Sequence, residues 1–146
     1  MFLSELLTFL NTKGNTMNWQ KIYDLADDTR LIEQVQKATL ETDDYGLVPE
    51  VALYGTQEWW DAIADGRIEK LQIEGQISRV YMSGHNDWPE FEVECDGEKT
   101  SWTRCGDESR YEVGKRIRIE YVWQKAKKAW VGSNKQKEVL RVFIEC

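Results

Sequence analysis

The pair Asp96-Gly97 constrains this chain more tightly than any other two residues. Asp-Gly between alternating segments marks a two-residue type I′ hairpin, because both central positions need positive φ. Before it, Phe91, Val93 and Cys95 alternate with Glu90, Glu92 and Glu94. Counting outward from the turn sets Cys95 opposite Glu98, Glu94 opposite Lys99 and Phe91 opposite Trp102. An aromatic pair then lies on the inner face and an ion pair on the outer one, so turn and pattern agree on a single register.

An isolated hairpin is marginal in water, and the flanking sequence supplies further strands. Leu71, Ile73, Gly75 and Ile77 alternate with Gln72, Glu74, Gln76 and Ser78. The phase slips near Arg79, after which Val80 and Met82 hold the apolar positions; this predicts a bulge, with Gly75 helping the strand to coil. Residues 115–123 form the central strand, with Ile117, Ile119, Tyr121 and Trp123 inward and Arg116, Arg118, Glu120 and Val122 outward. Residues 125–137 are basic, contain Gly132-Ser133-Asn134, and read as a long hairpin connection. The last strand turns Leu140, Val142 and Ile144 inward and Arg141 and Glu145 outward, while Phe143 sits unexplained on the polar side.

Upstream the periodicity is helical. Phe2, Leu3, Leu6, Leu7 and Leu10 share one face of a short helix. Asn18 is placed to cap a second helix whose stripe is Trp19, Ile22, Tyr23 and Ala26, continued by Leu31, Ile32, Val35 and Ala38. Pro49 makes residues 47–54 an extended linker. Thr56 then caps a helix over residues 57–65 carrying Trp59, Trp60 and Ile63, and Gly66 stops it. Adjacent helical residues point about 100° apart, so Trp60 is expected to be partly exposed.

The class that follows is α+β: N-terminal helices (residues 1–66) packed on a five-stranded antiparallel small barrel (residues 67–146), in one compact unit. The strand pattern, one long bent strand, a tight hairpin, a loop and two more strands, resembles an OB-like barrel. That likeness concerns fold and implies no function.

Cys95, Cys105 and Cys146 are odd in number and lack C-x-x-C spacing, which fits reduced thiols and a cytoplasmic location rather than a disulfide framework. There is no run of eighteen apolar residues to cross a membrane. Residues 1–10 lack a basic n-region, and Met17 offers a second start that would leave the first sixteen residues a dispensable leader. The net charge of −7 is unevenly spread: residues 99–141 hold twelve Lys and Arg against five Asp and Glu, whereas the first 98 hold seven against twenty. Such asymmetry bears on interaction surfaces, though acidic and basic segments also neutralise one another within a fold.

Motifs that carry chemistry are missing. Ser83, His85 and Asp87 share one loop, but loop neighbours make turns far more readily than triads. His85, Cys95 and Cys105 lack zinc-site spacing. The paired carboxylates Asp27-Asp28 and Asp43-Asp44 read as solvated, and Glu90, Glu92 and Glu94 as partners for Arg116 and Arg118. Neither a P-loop nor G-x-G-x-x-G occurs. No catalytic residue, metal or cofactor is assigned. The sequence reads as a non-enzymatic binding or regulatory module acting through a protein partner. The alternative is single-stranded nucleic-acid binding through residues 99–141, where cations interleave with rings. Across both readings the candidate binding residues are Trp60, Arg116, Arg118, Lys127, Lys128 and Trp130.

Overall fold

The computed structural model describes residues 18–128 and 133–146. The elements are β1 (Trp19–Asp24), α1 (Thr29–Glu41), α2 (Gln57–Ala64), β2 (Leu71–Ser83), β3 (Trp88–Cys95), β4 (Glu98–Thr103), β5 (Arg116–Lys125) and β6 (Lys135–Glu145). The expected Phe2-to-Leu10 helix, the Met17 start, Trp130 and Gly132 lie outside the described residues.

The hairpin forms in the expected register, with Cys95 opposite Glu98, Glu94 opposite Lys99 and Phe91 opposite Trp102. Asp96 and Gly97 take φ of 53° and 83°, as a type I′ turn requires. The expected bulge in β2 is present, where the pairing with β3 shifts between Ile77 and Arg79. Ser78 at that shift donates its hydroxyl to Glu92 at 2.9 Å.

Two expectations are corrected. The sheet has six strands in the order β1-β6-β5-β2-β3-β4, all antiparallel, and it does not close into a barrel. The additional strand is Trp19–Asp24, expected as the first turns of a helix. It pairs with β6 from Trp19 opposite Glu145 to Asp24 opposite Arg141, with a shift at Ile22. The edges β1 and β4 are approached by side chains instead of by a ladder: Arg110 Nη2 donates to Gln20 Oε1 (2.7 Å), and Lys137 Nζ donates to the Ser101 carbonyl (2.8 Å). Second, Glu90, Glu92 and Glu94 do not pair with Arg116 and Arg118, because β2 separates β3 from β5. Arg118 instead meets Glu74 at 2.9 Å, while Glu90 accepts a hydrogen bond from the Tyr81 hydroxyl.

The central strand also departs from strict alternation. Ile117 and Ile119 are fully buried, but the next fully buried residue is Val122. Trp123, expected inside, is 47 % exposed, and Tyr121 is half-buried. The cause is a bulge against β6: Glu120 pairs with Arg141 and Tyr121 with Val139, leaving Leu140 without a partner in this ladder.

The helices sit on the sheet through caps and rings. The Asp28 carboxylate accepts the Leu31 N–H to cap α1, and Thr56 accepts the Trp59 N–H to cap α2 as expected. Trp59 is fully buried, packs at a tilt against Tyr54 with ring centres 4.8 Å apart, and donates its Nε1–H to Gln124 of β5 at 3.1 Å. Such a ring buries a large apolar area while its N–H is satisfied, so one residue fixes α2 to the sheet. Trp60 packs edge-on against Trp59 and is half-buried, in line with the helical geometry.

Gly75 is where the bent β2 lets β3 approach most closely. A Cβ there would lie 2.4 Å from the Glu94 carbonyl oxygen and 2.7 Å from a Val93 methyl. Gly75→Ala should therefore push backbone against backbone and lower stability by about 2 kcal/mol or more, read as a reduced midpoint in urea unfolding.

Candidate functional site

A cleft of about 830 Å³ opens between α1 and the bent sheet. Tyr23 from β1, Tyr54 from the linker and Trp102 from β4 line its wall, while Trp88 and Trp123 stand at its mouth, 54 % and 47 % exposed. A second lobe of about 260 Å³ runs on beneath α1 to Tyr45 and Leu47. Leu31, Gln34, Gln136 and Glu138 line both lobes and form the waist of one groove.

The cleft is built by ring packing. Trp102 meets Tyr121 edge-on at 5.0 Å, and Tyr121 meets Trp123 at 6.2 Å. Lys137 crosses this cluster with its ammonium 3.8 Å from the Trp102 ring centre while bonded to the Ser101 carbonyl. Burial lowers its pKa, with the Glu90 charge opposing. The Trp88 indole N–H donates to Thr103 Oγ1 (3.1 Å), leaving the ring itself uncovered.

Two titratable groups in the cleft are strongly perturbed. Burial pushes the Glu138 carboxyl up to about 7, against a hydrogen bond from Gln136 (2.8 Å) that favours the charge. Among the described residues Glu138 makes no ion pair. Burial, reinforced by the charges of Asp28 and Glu138, pushes the Cys105 thiol up to about 12. A thiol so disposed is a poor nucleophile at neutral pH. The Tyr23 phenol, desolvated and donating to Asp28 at 2.7 Å, is likewise raised. Together these groups can bind apolar and polar side chains; they do not pair a nucleophile with a base.

The residues singled out from sequence are scattered. Trp60 packs on Trp59. Arg118 lies 4.7 Å over the Trp19 ring and 5.9 Å from the ring of Phe143, which accounts for that phenylalanine's place on the polar side. Arg116 donates its backbone N–H to Glu145. Lys127 donates to the Thr39 and Thr42 carbonyls at the end of α1. None of these four residues, nor Lys128, lines the cleft, and Trp130 lies outside the described residues. His85 is exposed in a turn where Asp87 accepts its backbone N–H. No cluster of metal-ligating side chains occurs among the described residues, and no described helix is long and apolar enough to cross a membrane. The sequence reading did not single out Trp88 or Glu138, which line the cleft. Glu138 did leave a signal, since it falls in the same alternate positions as Leu140, Val142 and Ile144.

Two measurements test this electrostatic picture. Between its ordinary value near 4.5 and about 7, Glu138 keeps a proton when folded that the unfolded chain has lost, so stability falls as pH rises through that window. Glu138→Gln should remove the fall and exceed the native chain at pH 8 by on the order of 2 kcal/mol in urea unfolding, the difference vanishing toward pH 4. Iodoacetamide at pH 8 should label the exposed Cys146 and spare Cys105, as mass mapping of the folded protein would show.

A search of curated proteins finds no match for this chain. A family model described as Immunity protein RhsI2 matches residues 19–146, a span that begins with β1 and takes in every strand and helix described above. An immunity protein is a non-enzymatic binder of a partner toxin protein, in keeping with the expected protein-binding module, and the family lends no support to the nucleic-acid alternative. Matched by this family model over most of its length, the chain belongs to the RhsI2 immunity protein family.

Proposed function

We propose that this chain neutralises an Rhs toxin by gripping a segment of it in the cleft between α1 and the bent sheet, with no covalent chemistry. The observation that carries this reading is the pair of uncovered tryptophans, Trp88 and Trp123, at the mouth of a cleft already walled by Tyr23, Tyr54 and Trp102. Aromatic rings held rigidly at a concave site dominate the energetics of protein interfaces. Both rings are fixed from behind, Trp88 by its bond to Thr103 and Trp123 by its packing on Tyr121, so little side-chain entropy is lost when a partner covers them. The acidic balance of the chain, −7, adds long-range attraction toward a cationic partner.

The test is protection and binding by the double variant Trp88→Ala/Trp123→Ala. Cells expressing the Rhs toxin should grow when the native chain is co-expressed and fail to grow with the double variant. The dissociation constant should rise roughly 30-fold or more per ring, the effect of losing about 2 kcal/mol at an interface anchor. Both side chains also bury about half their surface, so the double variant should unfold at a lower temperature than the native chain, and circular dichroism at the assay temperature verifies that it is folded. Full protection by a folded double variant would sink the assignment of this surface.

A further inference from the structure

The groove has a chemical polarity that identifies what it takes. Its waist includes Glu138, whose carboxylate accepts a hydrogen bond from Gln136 and makes no ion pair among the described residues. Its far lobe ends at Tyr45, 58 % exposed, directly after the exposed acids Glu41, Asp43 and Asp44. Those three also lack an ion pair among the described residues. The nearby cations are otherwise engaged: Lys127 is spent on the carbonyls that end α1, and Lys137 is held on Trp102 and Ser101. Arg30 and Lys135 stand only on the exposed rim of the larger lobe. The other carboxylates of that lobe are already served by hydroxyls, Asp28 by Tyr23 and Glu90 by Tyr81.

From this arrangement we infer that the groove receives a lysine- or arginine-bearing segment of the toxin. One cationic side chain reaches Glu138 between the rings, and neighbouring basic residues face Glu41, Asp43 and Asp44. The groove already shows that its rings accept an ammonium, since Lys137 sits over Trp102. A carboxylate that costs stability when charged becomes favourable once a cation pairs with it in the same desolvated place. The inference rests on the proposed toxin-binding role of this cleft and adds the chemistry of the occupant.

The two parts of the site predict different kinetics. With the toxin domain as probe, Glu138→Gln should raise the dissociation rate by about 10- to 100-fold with little change in association, as loss of a buried charge-assisted bond does. The triple variant Glu41→Gln/Asp43→Asn/Asp44→Asn should instead slow association about tenfold at low salt, and the difference should shrink at moderate salt. Glu138→Gln is expected to be more stable than the native chain at pH 8, so its loss of binding cannot be laid to unfolding. Alanine substitution of each toxin lysine and arginine should find one residue whose loss makes Glu138→Gln silent. Native affinity or tighter binding by Glu138→Gln overturns the inference and points to an apolar or anionic occupant. Failure of the native chain to bind the toxin overturns the proposed function itself. Loss of binding in the tryptophan variant alone leaves that function standing and removes only the cationic occupant.

Discussion

The cleft depends on one unpaired residue in a ladder. Leu140 is buried, yet β5 skips it, pairing Glu120 with Arg141 and then Tyr121 with Val139. Because side chains alternate with a period of two, one extra residue exchanges the faces beyond it. Val122 therefore enters the core and Trp123 is delivered to solvent, while Glu138, paired with Val122, keeps the unbroken β6 phase of Leu140, Val142 and Ile144. Without the bulge Trp123 would continue the inward row of Ile117 and Ile119. The exposed Trp123 thus has a backbone origin, whereas Glu138 needs only the regular alternation of β6.

Elements with a local cause were legible. The Asp96-Gly97 turn, the Thr56 cap and the slip near Arg79 each follow from a few adjacent residues, and each stands where the pattern put it. β1 was not legible, because Trp19, Ile22 and Tyr23 have helical spacing and the shift at Ile22 hides the strand alternation. Its partner, β6, is more than a hundred residues away in sequence, and no local propensity reports such a contact. The site was hidden for the same reason: Trp88 and Trp123 come together only through the bent sheet. Glu138 could have been suspected, as a carboxylate placed in an aliphatic phase.

The uneven charge of the two halves is partly resolved inside the fold. Arg118 meets Glu74, Lys125 approaches Glu50, and Lys127 settles on the last carbonyls of α1, so several cations of the basic half are turned onto the acidic half. Exposed pairs of this kind contribute little stability, commonly under about 1 kcal/mol each. Their larger effect is on the surface potential, which they leave dominated by acids without local cations. Association with a partner is then shaped by what internal pairing did not cancel.

Lys137 has a consequence for how the sheet meets other chains. β4 ends the strand order, and a terminal strand invites a visiting segment to pair with its free peptide groups. Lys137 reaches across the cleft and claims the Ser101 carbonyl on that strand, with its ammonium over the Trp102 ring. A newcomer seeking to lengthen the sheet there would have to displace a desolvated ammonium from both ring and carbonyl. The chain is thereby steered toward recognition by side chains and away from recruitment as a template for further strands.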